Sequence, residues 1–104
     1  MTYKVEYLPI AQKDMVEIAK YIGVNLSNPQ SAERLADKMV SEIEKLSEMP
    51  YRYPAYLPIR SLNREYRKLI IDNYTIFYCV DENTKIVTIA RAIYSKRNYG
   101  ELLK

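Results

Sequence analysis

Seven side chains in the last 45 residues could do chemistry on an anionic partner. Arg64, Arg67 and Lys68 lie in or just before one apolar-rich segment, and Tyr94, Lys96, Arg97 and Tyr99 lie where another ends. Arginine and lysine suit phosphate contact and can stabilise charge that develops on a scissile phosphate; tyrosine can stack on a base or take part in proton transfer. A solvated basic rim accounts for the same residues, since exposed clusters of lysine and arginine are common on proteins with no nucleic-acid role. Arg91 differs from these. It falls among aliphatic residues and requires a neutralising partner, for which Asp14 or Glu17 is available, so it reads as one half of a structural ion pair with Asp14.

Composition narrows the chemistry further. The 104 residues include no histidine and one cysteine, Cys79. Histidine-based triads, HExxH zinc hydrolases and zinc fingers are excluded as such, and acids, Lys, Arg, Tyr and Ser/Thr remain. Cys79 has no partner for an internal disulfide and sits in Phe77-Tyr78-Cys79-Val80, which reads as a packed strand. No metal-ligand cluster, glycine-rich phosphate loop or cofactor signature is visible, so no metal and no cofactor are expected. Charge is unevenly placed: residues 1–59 hold seven basic and eight acidic side chains, net −1, whereas residues 60–104 hold nine and five, net +4. The second half is where an anionic partner would bind.

The elements that must position these residues follow from periodicity. Tyr3, Val5 and Tyr7 alternate with Lys4 and Glu6, which marks a strand with one buried face. Pro9 opens a segment in which Ala11, Met15, Ile18 and Ile22 form a stripe along one helix face, closed by Gly23 and Asn25. Asn28 and Pro29 form an N-cap and first-turn pair for a second helix, which carries Leu35, Met39, Ile43 and Leu46 on one side and runs to about Glu48. Pro50, Pro54 and Pro58, interleaved with Tyr51, Tyr53 and Tyr56, make an irregular crossing segment. Strands follow at Tyr66 to Ile71, Tyr74 to Val80 and Lys85 to Tyr94, joined by turns at Asp72-Asn73 and Asp81-Glu82-Asn83. In the last strand Val87, Ile89, Arg91 and Ile93 are assigned to the face toward the helices, and Thr88, Ala90, Ala92 and Tyr94 to the other. The tail from Ser95 to Lys104 reads as a docked turn or short helix.

The predicted class is α+β over one domain, residues 1–104: an N-terminal strand, a helical hairpin, then an antiparallel three-stranded meander. The helices pack on one face of an antiparallel sheet and much of the other face stays open. Met1 to Tyr7 reads as a strand, not a leader, and no apolar stretch is long enough to span a bilayer, so a cytoplasmic protein without membrane contact is expected.

One pattern runs through nearly the whole chain. It comprises Tyr3-x-Val5-x-Tyr7, then Ala11 with Asp14 and Ile18, Leu46 with Pro50, and Asn73-Tyr74 with Ile76-Phe77-Tyr78 and Val80-Asp81. It ends on Arg91-Ala92-Ile93-Tyr94-x-Lys96-Arg97. It resembles the RelE/ParE superfamily of bacterial toxins, with Asn73 to Arg97 its most specific part. The resemblance implies a toxin of a two-gene toxin–antitoxin module, held inactive by an antitoxin from the neighbouring gene that folds onto the basic half. It also implies one of two activities: ribosome-dependent mRNA cleavage, as in RelE-like members, or inhibition of DNA gyrase by binding, as in ParE-like members. An inert relative is the third possibility. The RelE-like pattern has two lysines before the hairpin, an arginine after the hairpin tyrosine, an arginine ending the sheet and a tyrosine in the tail. Lys68 and Arg97 fall in register with it, whereas Tyr66, Thr75 and Leu103 depart from it. On that pattern Lys68, Arg97 and Tyr94 are the catalytic candidates of a metal-free endoribonuclease. Arg67 or Lys96 would supply missing charge, and Tyr94 or Tyr99 would replace the tail tyrosine; Arg64, Arg67, Lys96 and Tyr99 are binding candidates.

Overall fold

The computed structural model describes residues 2–56, 65–97 and 103. Its elements run β1 (Lys4–Tyr7), α1 (Pro9–Lys20), α2 (Pro29–Glu44), β2 (Arg67–Ile71), β3 (Tyr74–Asp81) and β4 (Ile86–Tyr94). This is the α+β layout read from the periodicities, with one short turn of 3₁₀ helix after α2, at Lys45–Ser47. Arg64, Tyr99 and most of the tail lie outside the described residues.

Each helix begins where local chemistry allows it. Pro9 and Pro29 occupy first-turn positions, where the missing N–H costs nothing. Asn28 caps α2, its side-chain oxygen accepting from the Ser31 amide at 3.1 Å. α1 does not end at Gly23 by simple fraying. It widens over Tyr21–Asn25 into a π-helical turn, in which the Leu26 amide donates to the Tyr21 carbonyl at 3.0 Å. That turn leaves Tyr21, Val24 and Leu26 facing water.

The four strands form one sheet in the order β1-β4-β3-β2. The meander is antiparallel, but β1 runs parallel to β4, with Val5 opposite Val87 and Tyr7 opposite Ile89. The sheet is therefore mixed, not wholly antiparallel. Both helices lie between β1 and its partner in sequence, a connection long enough for a parallel crossover.

The main core lies between the helices and one sheet face. There Ala11, Leu35, Met39 and Ile43 meet Leu69, Ile76, Tyr78 and Ile89. The opposite face is not bare: Phe77, Ile93 and Leu103 are buried together there, with Tyr56 and Tyr66 packed around them. Both Phe77 and Tyr78 are fully buried, so β3 is covered on both faces, as its continuous apolar run requires.

A β-bulge corrects the face assignment of β4. Phe77 pairs with Arg91 and Tyr78 with Ile89, which leaves Ala90 as an extra residue and reverses the alternation beyond it. Val87 and Ile89 face the helices as assigned, but so does Ala92, whereas Ile93 turns to the opposite face beside Phe77.

Candidate functional site

Beyond Tyr7 the chain leaves β1 and turns into α1, so the outer edge of β4 past Ile89 has no strand beside it. Asp14 fills that gap. Its carboxylate accepts from the Ala92 amide at 3.1 Å and takes two bonds from Arg91, Nε at 2.7 Å and Nη2 at 3.0 Å. The fork-on-carboxylate geometry satisfies a largely buried charge pair and pins α1 against the sheet. The bond to Asp14 raises the Arg91 pKa further above its ordinary value.

A groove of about 670 Å³ opens next to this pair, between α1 with its π-helical turn and the ends of β3 and β4. Asp14, Glu17, Ile18, Tyr21 and Leu26 line one side, and Asn73, Tyr74, Ala92, Tyr94 and Arg97 the other. Tyr74 and Tyr94 are cross-strand partners whose rings meet edge to face, 5.9 Å apart at 66°. The turn that follows β4 returns Arg97 to the groove: the Ser95 amide donates to the Asn73 carbonyl at 2.8 Å and the Arg97 amide to the Tyr94 carbonyl at 3.0 Å. Burial first, then the neighbouring Tyr21 and Tyr94, push the Tyr74 hydroxyl pKa up, so at neutral pH it is a phenol and not a base. Three of the large lining side chains are exposed, Tyr21 at 51%, Leu26 at 56% and Tyr94 at 41% accessible, and Val24, on the same turn as Tyr21 and Leu26, is exposed as well.

The residues singled out from the sequence separate into three groups. Tyr94 and Arg97 are brought together at the groove. Lys68 is not with them. It pairs with Phe77, on the face opposite the helices, and its Nζ lies 5.9 Å from the centre of the Tyr56 ring. Arg67, pointing the other way from Lys68, is engaged structurally: it donates to the Tyr53 carbonyl at 2.8 Å, lies 4.8 Å from the Tyr51 ring centre and contacts Glu65 at 3.3 Å. Lys96 is exposed. Arg64 and Tyr99 lie outside the described residues. At the position where the RelE-like pattern carries an arginine, the Thr75 hydroxyl is buried against Ser95 Oγ at 2.9 Å. Sequence reasoning missed Tyr21, Leu26, Asn73 and Tyr74 as neighbours of Arg97. The available signal was a cluster of large apolar residues, Tyr21, Val24 and Leu26, in a hairpin turn where polar residues are usual.

Among the described residues no group of acidic or cysteine side chains could hold a metal ion, and no helix is long and apolar enough to cross a membrane.

Residues 5–99 match the family model of the ParE toxin of the type II toxin–antitoxin system parDE. No curated protein matches the sequence. Among solved structures, a chain of the chromosomal ParDE toxin–antitoxin system from P. aeruginosa superposes with a TM-score of 0.73 at 15% identity, covering 91% of this chain and 98% of its own. A chain of the RelBE2 toxin–antitoxin complex from Mycobacterium tuberculosis gives 0.65 at 20% identity, with 90% and 92% covered. A mutant E. coli RelE toxin in the free state gives 0.65 at 14% identity, with 99% and 94% covered.

Proposed function

This chain belongs to the ParE toxin family of type II toxin–antitoxin systems, and from that membership we propose that it acts by binding DNA gyrase rather than by cutting mRNA. The observation that carries the reading is the separation of Lys68 from Arg97 and Tyr94. General acid–base and charge-stabilising chemistry on one scissile phosphate needs its cations and its proton donor within hydrogen-bond reach of the same few atoms. Lys68 lies on the sheet face beside Tyr56 and Phe77, whereas Arg97 and Tyr94 line the groove against α1. Thr75 adds no charge where the nuclease pattern has an arginine.

What Arg97 and Tyr94 join is a surface of protein-docking character. Tyrosine and arginine beside exposed leucine and valine are the residue types that anchor protein interfaces. A binding toxin needs such a face and no proton relay. The reading includes a cognate antitoxin, since solved relatives are described as toxin–antitoxin complexes.

Induction in a bacterial host tests it. The expected result is filamentous cells and trapped gyrase–DNA breaks, with purified toxin inhibiting gyrase supercoiling. Rapid arrest of translation with cuts in ribosome-bound mRNA, and no effect on gyrase, would reverse the assignment.

A further inference from the structure

The strand edge that Asp14 caps continues beyond it. The Ser95 amide donates inward, to the Asn73 carbonyl at 2.8 Å, so by the alternation of the ladder the main-chain groups of Ala92 and Tyr94 point away from β3. The Ala92 amide follows that direction and reaches Asp14 at 3.1 Å. Each residue has one group engaged: Ala92 its N–H, by Asp14, and Tyr94 its C=O, by the Arg97 amide at 3.0 Å. Among the described residues the Ala92 C=O and the Tyr94 N–H have no partner. Both residues line the groove, so its sheet wall carries an acceptor and a donor two residues apart on an open edge.

We propose that the groove takes an extended segment of the toxin's target as an added strand, parallel to β4 and in line with β1. The inference rests on the gyrase-binding reading above and adds how that target is held. An antiparallel segment pairs with the N–H and C=O of one and the same residue, and here Ala92 and Tyr94 each have one of those groups taken. A parallel segment instead spans from the C=O of one residue to the N–H two further on. A single partner residue opposite Ile93 therefore satisfies both open groups, in the direction that β1 already follows. A helix laid over the groove would bury the same two groups unpaired, at the full cost of desolvating them. The side walls state the rest of the partner's chemistry. Tyr21 and Leu26 on one side and Tyr74 and Tyr94 on the other receive apolar side chains. The segment runs toward the turn that carries Arg97 into the groove, so an acidic side chain is expected on its C-terminal side.

The test is hydrogen exchange followed by mass spectrometry with overlapping peptides, on the purified toxin alone and bound to gyrase, with Tyr94→Ala and Tyr94→Pro compared in affinity. Both substitutions remove the ring, but only proline removes the N–H, at an edge position where that N–H serves no bond within the sheet. The Tyr94 amide should exchange about tenfold or more slowly in the complex. Tyr94→Pro should bind gyrase about tenfold more weakly than Tyr94→Ala, both being folded by circular dichroism; should the proline variant unfold, protection of the Tyr94 amide in the parent chain decides. A photocrosslinker at the exposed Lys96 should label gyrase on the C-terminal side of the segment that gains protection, and labelling on its N-terminal side overturns the parallel arrangement. A toxin that binds gyrase with its Tyr94 amide unprotected overturns the added strand and leaves the gyrase reading standing. A parent chain that neither binds nor inhibits gyrase overturns both.

Discussion

Asp14 does for β4 what a neighbouring strand would do: it accepts the Ala92 amide at the sheet edge and holds Arg91 in the same carboxylate. Helix α1 is thereby tied to the sheet at the point where β1 ends, and the groove that contains Arg97 opens beside that tie. Removing either partner leaves the other charged and largely desolvated.

Arg91→Ala should therefore cost roughly 3 kcal/mol, the scale for breaking a buried pair from one side. Thermal unfolding followed by circular dichroism should show a fall in Tm of well over 10 °C, at about 4–8 °C per kcal/mol for a domain near this size. Asp14→Asn should cost less, because an amide oxygen still accepts from Ala92. A Tm unchanged in Arg91→Ala would show that the pair does not tie α1 down.

Lys68→Ala and Arg97→Ala should part company in toxicity. If the protein acts by docking at the groove, Arg97→Ala should weaken growth arrest by about tenfold, the size of a modest interface anchor. Lys68→Ala, on the other sheet face, should stay within a few-fold of the parent chain. Equal loss in both, measured as the inducer level needed for arrest, would point back to a catalytic site shared by the two cations.

Tyr78 is fully buried and its hydroxyl donates to the Pro50 carbonyl at 2.7 Å, fastening the proline-rich crossing segment to β3. Tyr78→Phe leaves that carbonyl unpaired at a cost of about 1–3 kcal/mol. The denaturant midpoint should fall with the m-value unchanged; no shift at all would mean that Pro50 finds another donor.

Glu82 gathers three donors, Lys85 at 2.6 Å, Tyr3 at 2.5 Å and Tyr51 at 2.6 Å, which join the β3–β4 turn to the N-terminus and to the crossing segment. Those bonds, Lys85 first, lower its pKa from 4.5 to about 2. A depressed carboxylate contributes stability above its unfolded pKa and loses it as pH falls, so the contribution should fade between pH 4.5 and about 2. Tyr51 has the opposite sign. Donating to Glu82 raises it from 10.0 to about 12, so its contribution is present below pH 10 and lost on the way to about 12. Glu82→Gln should flatten both limbs of a stability-against-pH curve, and an unchanged acid limb would show that the cluster contributes nothing.

Local patterns in the chain were enough to determine the elements and much of the core. The Ala11, Met15, Ile18, Ile22 stripe, the alternation at Tyr3, Val5 and Tyr7 and the apolar run of β3 each reflect a period that neighbouring residues impose on one another. The need of Arg91 for a carboxylate was legible too, because an unpaired charge among aliphatics is intolerable anywhere in a fold. Only the tertiary structure decided which residues meet beyond those periods. One extra residue, Ala90, reverses every side chain after it, which no period can announce, and so Ile93 and Ala92 exchanged faces. The pairing of Lys68 with Phe77 sent it away from Arg97, although both are cations in the same basic half. The groove itself is built from Tyr21 and Leu26 on one side and Tyr94 and Arg97 on the other, some 70 residues apart in the chain. Such a meeting depends on strand order and register, which are set by the summed packing of the whole core and not by any segment within it.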